Sequence, residues 1–299
     1  MKVAEFDTII IGAGIAGMTA AIYLKRENIN VAIIEKEMPG GQMVKTPAIE
    51  NYPGFERIDG STLAMNIYNQ VEKLKIPFIF DEVIDIQDGE DKLVITKNNR
   101  YRAKTILLST GRIPRKLNLM GEDKLIGRGI SYCATCDGAF YKDKDVVVVG
   151  GGSSAVTEAI YLTNIARKVI LLYRGENLRS ENVLKERLEN IENAEIKYNT
   201  EIIEIKEQNG KVNEVILNNG SLKVDGIFVF IGYEPNVKFL KDLNLTIDNG
   251  YIVVDDNMKT TIDGIYAAGD SIKKQLYQLT TAAAEAAIAA NSIKKYLVL

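Results

Sequence analysis

Two stretches of the chain share one pattern of apolar and polar positions. In each, a short apolar run ends in a glycine-rich turn, apolar residues at helical spacing follow, and a second apolar run closes the pattern. The first begins DTIIIGAGIAG at Asp7 and the second begins DVVVVGGGSSA at Asp145. A buried strand, a tight turn, a helix and a second strand make a βαβ unit with parallel strands, so the pattern predicts two such units.

The turn of the first unit carries the glycines of a dinucleotide fingerprint, Gly12, Gly14 and Gly17. One glycine makes the tight turn, one lets the backbone approach a pyrophosphate, and one lets helix and strand pack closely. The next strand ends on Glu35, which is placed to accept hydrogen bonds from an adenosine ribose. This unit is therefore predicted to bind a nucleotide with a free ribose, such as FAD. The alternative is that the glycine-rich turn is fortuitous.

The second unit repeats the fingerprint at Gly150 and Gly152, but its next strand ends on Tyr173, so the ribose-binding acid is missing. Arg174 and Arg179 follow, and arginines here suit a 2′-phosphate better than a bare 2′-hydroxyl. The second unit is therefore predicted to bind NADPH. Ordinary surface charge is the alternative for the two arginines.

A third glycine-rich piece, DGIYAAGDS, precedes an alanine-rich helical pattern. Gly269 and Asp270 suit a close approach to a cofactor, and the alternative is a capped helix in which Asp270 serves only the backbone. Because the second unit is already complete, we expect this piece to join the first. The predicted fold class is α/β, with two Rossmann-like three-layer nucleotide-binding domains, the second inserted into the first. An FAD-binding domain would span residues 1–112 and 234–299, and an NAD(P)H-binding domain residues 113–233.

Composition narrows the class of protein. The chain has 299 residues, 46% of them hydrophobic and 26% charged, and a net charge of −3. That charge offers no basic field for nucleic acid or for an anionic membrane, and no signal peptide or long apolar segment stands out. The chain has no histidine, so acid–base chemistry must use carboxylates, lysines, tyrosines, thiols or water. With only two cysteines, the expected compartment is the reducing cytoplasm.

Those two cysteines, Cys133 and Cys136, stand in the string SYCATCDGAF. A structural zinc site needs four ligands and a haem anchor needs a histidine, so neither fits. A buried structural pair remains an alternative, but a Cys-x-x-Cys beside nucleotide sites favours redox use. Asp137 is then the nearest proton donor for thiol–disulfide exchange, provided that partial burial favours its protonated form; the alternative is an exposed turn residue.

At this point the motifs resemble a known family. The pieces are GAGIAG, GGQM, ENYPGF, STG, GISYCATCDG, GGGSSA, GYEPN, AAGD and YQLTTAA. Over nearly its whole length the chain is similar to the low-molecular-weight thioredoxin reductases. The resemblance implies a flavoprotein homodimer that passes two electrons from NADPH through FAD to a Cys133–Cys136 disulfide and on to thioredoxin or a glutaredoxin-like protein.

The resemblance also implies site residues. Cys136 would face the flavin, Cys133 would attack the partner disulfide and Asp137 would be the acid. The expected FAD contacts are Gly12, Gly14, Ala16, Gly17, Glu35, Gly41, Gln42, Asn51, Val83, Thr110, Gly111, Gly269, Asp270 and Gln278. The expected NADPH contacts are Gly152, Ser153, Ser154, Arg174 and Arg179. No metal is expected.

Two positions depart from the family pattern. The family's His-Arg-Arg-x-x-x-Arg string reads here Tyr173, Arg174, Gly175 and then Arg179, and its Arg-Gln pair reads Tyr277-Gln278. Losing one charged contact to a phosphate costs about 1.5–3 kcal/mol, which would blur the choice of NADPH over NADH. NADH, ferredoxin or a deazaflavin are therefore alternative donors. A flavin NAD(P)H oxidase, a ferredoxin–NADP reductase-like enzyme and a flavin-bound redox sensor are alternative functions.

Overall fold

The chain is seen here in a computed structural model that describes residues 4–46 and 48–298. Its contacts divide it into two compact units. Unit 1 comprises Met1–Ile113 with Pro235–Leu299, and unit 2 comprises Pro114–Glu234. In the described part of the chain, no helix is both long enough and apolar enough to cross a membrane.

The first part of unit 1 contains seven strands and two α-helices. In chain order they are β1 Ala4–Ile11, α1 Ile15–Arg26, β2 Val31–Glu35, α2 Gly60–Lys73, β3 Phe78–Phe80, β4 Val83–Gln87, β5 Lys92–Thr96, β6 Arg100–Leu108 and β7 Arg112–Pro114. A short 3₁₀ helix, Gly41–Lys45, lies between β2 and α2.

Unit 2 follows with four α-helices and eight strands. They are α3 Glu122–Leu125, β8 Ile130–Ser131, α4 Ala134–Asp137, β9 Asp145–Val149, α5 Ser153–Thr163, β10 Lys168–Leu172, α6 Asn182–Glu189, β11 Ala194–Lys197, β12 Ile202–Gln208, β13 Lys211–Leu217, β14 Gly220–Lys223 and β15 Gly226–Val229. The chain then passes through β16 Tyr233–Pro235, β17 Ile247–Asp248, β18 Tyr251–Ile252, β19 Ile265–Ala267 and α7 Leu279–Val298.

The main sheet of unit 1 has the strand order β3-β2-β1-β6-β5-β4. Its core is parallel, because β1 pairs in parallel with both β2 and β6. One edge of β6 is shared between two partners. Its first half pairs with β5 in antiparallel fashion, and its last three residues pair in parallel with β19. The piece DGIYAAGDS therefore adds a strand to the first βαβ unit, as its sequence predicted.

Alternate side chains of β1 enter different layers of unit 1. Ile10 faces a core built from α1, α2 and α7, whereas Ile9 and Ile11 face a core that includes β4 and β5. Unit 2 repeats the plan with a parallel sheet in the order β11-β10-β9-β15-β8. There Val146 and Val148 face α5, while Val147 and Val149 face the antiparallel strands β12 and β13. This is the predicted α/β class, with apolar strands buried on both faces.

Close packing of α1 onto the strand ends depends on one residue that lacks a side chain. A Cβ on Gly17 would overlap with the carbonyl oxygen of Gly12 and lie 2.7 Å from the Ser109 hydroxyl oxygen. Gly14, which precedes α1, has no atom within 4 Å of the equivalent position. Helix α1 can therefore approach the end of β6 only with glycine at position 17.

We expect Gly17→Ala to destabilise unit 1 by about 1–3 kcal/mol, because the added methyl group cannot be placed without moving the turn. Gly14→Ala is the matched control and should leave the free energy of unfolding close to wild type. Urea unfolding of the cofactor-free protein, followed by circular dichroism, measures both. Equal stability of the two variants would contradict the packing argument.

Candidate functional site

A cleft of about 220 Å³ opens in unit 1 at the carboxyl ends of β1, β2, β6 and β19. Eleven residues that the sequence predicted as cofactor contacts line this cleft: Gly12, Gly14, Ala16, Glu35, Gly41, Gln42, Thr110, Gly111, Gly269, Asp270 and Gln278. Residues that sequence reasoning missed complete the lining: Ile15, Gly40, Met43, Ser109, Arg112, Tyr277, Leu279 and Ala282. Segments far apart in the chain thus meet where parallel α/β sheets commonly bind ligands.

The floor of the cleft is open backbone. No atom lies within 4 Å of a Cβ built on Gly14 or on Gly111, so both present bare peptide to the cleft. The hydroxyl oxygen of Thr110 is buried without a hydrogen-bond partner in the described part of the chain. A buried hydroxyl that lacks a partner is normally satisfied by a ligand or water. These features fit a dinucleotide whose phosphates approach the N-terminus of α1.

Glu35 is held in place at the end of β2. One carboxylate oxygen accepts a hydrogen bond from the backbone N–H of Ala13 at 2.8 Å, and the other accepts from the N–H groups of Lys36 and Glu37 at 2.8 and 3.0 Å. The carboxylate therefore lies beside the glycine turn, the position that the sequence predicted for a ribose-binding acid.

Asp270 lies in a network of charges at the cleft. Its Oδ2 accepts two hydrogen bonds from Arg112, at 2.8 and 3.2 Å, and its Oδ1 lies 3.4 Å from the ammonium group of Lys274. Lys274 also pairs with Glu285 at 2.9 Å. Burial raises the pKa of Glu285, and the Lys274 ammonium partly opposes that shift. Asp270 thus bonds to side chains at the cleft, which goes beyond the alternative of a simple helix cap.

The family's arginine is replaced at position 277, yet a guanidinium is still present there. The Arg112 side chain lies over the Tyr277 ring, with 4.3 Å from its central carbon to the ring centre. This cation–π contact places a positive charge between Tyr277 and Asp270. Sequence analysis predicted neither partner of Arg112.

Three of the predicted FAD contacts do not line the cleft. Gly17 is buried under the turn, and Asn51 is exposed and donates a hydrogen bond to the side chain of Gln278 at 3.1 Å. Val83 is buried in the core that includes Ile86 and Val94.

The second glycine turn, in unit 2, is built in a similar way. A Cβ on Gly150 would overlap with the carbonyl oxygen of Phe230, whereas Gly152 has no atom within 4 Å. Ser153 begins α5 and Ser154 is exposed next to it. The backbone N–H of Arg179 donates to the carbonyl oxygen of Gly151 at 2.7 Å, which brings the predicted arginine segment onto the turn.

The two cysteines form a disulfide, with 5.4 Å between their Cα atoms. Cys133 is half-buried and caps the short helix α4, and the backbone N–H of Cys136 donates to its sulfur at 3.2 Å. Cys136 is exposed. The half-buried Asp137 ends α4, and its Oδ2 accepts a hydrogen bond from the Ser131 hydroxyl at 2.7 Å. The structure therefore places a carboxyl group, oriented by Ser131, on the helix that carries the disulfide.

A buried glutamate anchors the segment that leads into the disulfide. The carboxylate of Glu122 accepts hydrogen bonds from the backbone N–H groups of residues 117–119 and from the Tyr132 hydroxyl at 2.6 Å. Burial, and next the Glu122 carboxylate, raise the pKa of Tyr132, so its hydroxyl stays a donor. The sequence held no signal for this anchor, because Glu122 stands in an ordinary charged stretch.

Glu158 is a second unexpected group in unit 2. It lies on α5, and its Oε2 is buried without a hydrogen-bond partner in the described residues. Burial raises the pKa of this carboxyl group. An ionised carboxylate without a partner disfavours the folded state.

Comparison with known proteins agrees with this architecture. The pyridine nucleotide-disulphide oxidoreductase family matches residues 6–287. The thioredoxin reductase of Bacillus subtilis (strain 168) is 42% identical, covering 98% of this chain and 95% of its own. The crystal structure of Lactococcus lactis thioredoxin reductase superposes with a TM-score of 0.88 at 38% identity, covering 98% of this chain and 99% of that one.

A further structural relative is the ferredoxin–flavin thioredoxin reductase of Clostridium acetobutylicum, with 31% identity and a TM-score of 0.56 over the full length of both chains. The chain therefore belongs to the pyridine nucleotide-disulphide oxidoreductase family and, within it, to the low-molecular-weight thioredoxin reductases. The family resemblance seen in the sequence is confirmed, and the oxidase and ferredoxin–NADP reductase alternatives are not favoured.

Glu158 leads to a prediction about pH. Because its pKa is raised in the folded state, the wild-type protein loses stability as the pH rises from the ordinary glutamate pKa through the raised folded value. Glu158→Gln cannot ionise, so it should be more stable than wild type at neutral pH and equal to it at about pH 4. Thermal unfolding over this range measures the difference.

The matched control is Glu207→Gln, at an exposed position on β12. It should follow the wild-type pH profile throughout. A stability difference between Glu158→Gln and wild type that does not grow as the pH rises would show that this carboxyl group is not penalised when ionised.

Proposed function

We propose that the chain is a thioredoxin-disulfide reductase, a flavoprotein that uses its Cys133–Cys136 pair to reduce the disulfide of thioredoxin or of a similar small protein. The observation that carries the proposal is the placement of a disulfide and a carboxyl group on one short helix, in a unit that also holds a dinucleotide-type glycine turn. The sequence similarity to thioredoxin reductases, which extends over nearly the whole chain, supports the proposal.

The cofactors proposed are FAD in the cleft of unit 1 and NADPH at the glycine turn of unit 2. Glu35 and Asp270 would hold the ribose and the flavin side of FAD, and the bare backbone at Gly14 would take the pyrophosphate. Arg174 and Arg179 would bind the 2′-phosphate of NADPH. When bound, the nicotinamide and the flavin supply the electron pair that opens the disulfide.

The two thiols then carry out the thiol–disulfide exchange. The Cys133 thiolate attacks the partner disulfide, forms a mixed disulfide and releases one partner thiolate. Cys136 next attacks the Cys133 sulfur, which releases the second partner thiolate and restores the Cys133–Cys136 disulfide. One disulfide is reduced and one is formed, so the electrons balance. The Cys136 N–H that bonds to the Cys133 sulfur would stabilise the attacking thiolate.

The partner's two thiolates must each take up a proton to leave as thiols. Those two protons are the ones that the Cys133 and Cys136 thiols lose when they become the attacking thiolates. Asp137 is proposed to take them up and pass them on in turn, since it is the acid on the helix that Cys133 caps, and Ser131 holds its carboxyl group in place. We also propose the homodimer and the cytoplasmic location that the family resemblance implies.

Asp137→Asn should slow steady-state reduction of thioredoxin by about 10²–10⁴-fold, because proton transfer to the leaving thiolate is lost while the shape of the side chain is kept. Reduction of the bound flavin by its donor should be unchanged. Asp123→Asn, an exposed aspartate in the same unit, is the control and should retain full activity. A fast Asp137→Asn enzyme would remove Asp137 from the mechanism.

The electron donor is tested by anaerobic titration of the bound flavin with NADPH, NADH and reduced ferredoxin, followed by bleaching of flavin absorbance. We expect NADPH to bleach the wild-type flavin and the flavin of Cys133→Ser alike, while Cys133→Ser loses reduction of the protein disulfide. Bleaching by reduced ferredoxin alone would exclude the nicotinamide donor. Disulfide reduction that survives in Cys133→Ser would exclude the exchange mechanism.

A further inference from the structure

The hydroxyl group of Ser131 has three partners beside the disulfide. Its oxygen lies 2.7 Å from Oδ2 of Asp137, 3.1 Å from the carbonyl oxygen of Cys133 and 3.1 Å from the backbone nitrogen of Cys133. The residue is only 3% exposed, and its place in the sheet is fixed because Ser131 pairs with Phe228 of β15. One buried hydroxyl group thus links the carboxyl group of Asp137 to the peptide groups of the first cysteine.

Three partners are more than the hydroxyl group of Ser131 can serve as a donor. A hydroxyl group has one proton to donate and two lone pairs with which to accept. The N–H of Cys133 donates to one lone pair, so the single proton goes either to Asp137 or to the carbonyl oxygen of Cys133. That carbonyl oxygen also accepts from the backbone N–H of Asp137 at 3.2 Å, so it keeps a partner when the serine proton turns away. The arrangement therefore has two hydrogen-bonded forms that differ only in where the protons lie.

The two forms match the two protonation states of Asp137. When its carboxylate is ionised, Ser131 donates to Oδ2. When Oδ2 carries a proton, Oδ2 donates to Ser131, and the serine proton turns to the Cys133 carbonyl; a proton on Oδ1 leaves the first form intact. A backbone N–H in this place could only donate and a carbonyl could only accept, whereas a hydroxyl group does both. The carboxyl group therefore keeps its partner when it gains or loses a proton.

No positive charge takes over the role of Ser131. In the part of the chain that the structure describes, no lysine or arginine forms an ion pair with Asp137. Burial, and next the Asp137 carboxylate, raise the pKa of Tyr141, so this nearby phenol stays neutral. Helix α5 packs against α4, and its titratable side chains are Glu158 and Tyr161, neither of which is a cation. Ser131 is thus the side chain to which the Asp137 carboxyl group is bonded.

We propose that Ser131 is a positioning residue for the exchange reaction, one that holds Asp137 in place while its carboxyl group takes up a proton from a cysteine thiol and passes it to the leaving thiolate of the partner. The inference rests on the proposed function, in which Asp137 does this twice in each turnover. Each time, a cysteine S–H bond breaks and a carboxyl O–H bond forms; that O–H bond then breaks as the partner's S–H bond forms. Ser131 gains and loses no proton and only changes between donor and acceptor.

A double-mutant cycle in the FAD-loaded full chain tests the proposal, with Ser131→Ala, Asp137→Asn and the double variant. The cysteine pair of each protein is reduced, and a single turnover with oxidised thioredoxin is followed by rapid quenching and alkylation of the thiols. Ser131→Thr keeps the hydroxyl group and tests for rescue. Ser221→Ala, at an exposed position on β14, is the matched control. Circular dichroism checks that each variant is folded.

We expect Ser131→Ala to slow the exchange by about 10–100-fold, because it removes a hydrogen bond to a charged group. In the Asp137→Asn background the same change should slow the exchange by less than about twofold, since Ser131 acts through Asp137. Ser131→Thr should recover most of the rate, and Ser221→Ala should match wild type. Equal slowing by Ser131→Ala in both backgrounds would overturn the proposal, as would a Ser131→Ala protein with the full rate.

Infrared spectroscopy reads the hydrogen bond itself and needs no variant of Ser131. The band of the protonated Asp137 carboxyl group is obtained at acid pH as the difference between wild type and Asp137→Asn. We expect the wavenumber of a hydrogen-bonded carboxyl group, which Ser131→Ala should raise. The wavenumber of an isolated carboxyl group in wild type would overturn the proposal, even where Ser131→Ala does not fold. A wild-type protein that does not reduce thioredoxin would refute the disulfide reductase function, whereas additive variants of an active wild type would refute only the role of Ser131.

Discussion

The structure depends on how closely the backbone can turn between a strand and a helix. In unit 1 a side chain on Gly12 would overlap with the carbonyl of Ser109, and in unit 2 a side chain on Gly150 would overlap with the carbonyl of Phe230 in the same manner. Only glycine allows these approaches, because a Cβ would overlap with a carbonyl oxygen that cannot move without breaking the sheet. The open peptides beside both turns exist because this packing holds the strand ends and the helix N-termini together.

On this shared plan, the residue at the end of the second strand differs between the two turns. Glu35 presents a carboxylate held by backbone N–H groups, whereas Tyr173 presents a ring. One substitution at equivalent positions thus changes the chemistry while the backbone stays the same. The neighbouring residue adapts to it, alanine beside the carboxylate and glycine beneath the ring.

The disulfide shows a second form of positioning. Its helix is only four residues long, so it has little stability of its own. It is supported from both sides: Glu122 anchors Tyr132 before it, and the buried Ala134 packs into the same core as α5. Ser131 and Asp137 are joined across the helix. The cysteines for which exchange chemistry is proposed therefore lie on a helix that is held by hydrogen bonds and packing within unit 2.

The sequence by itself determined the elements whose information is local: the two βαβ units, their glycine fingerprints, the added strand before Gly269 and the redox character of Cys133 and Cys136. The strands, helices and fingerprints follow from periodicity or from the steric needs of glycine, and the cysteine pair follows from its spacing. Short segments carry all of this information. Only the tertiary structure decided which distant side chains meet. Arg112 with Asp270 and Tyr277, Glu122 with Tyr132, and the Tyr173 ring on Gly151 are contacts between residues separated along the chain. No local pattern encodes such contacts, because they arise from how the layers pack. That packing also placed Val83 in the core and left Oε2 of Glu158 buried without a hydrogen-bond partner among the described residues.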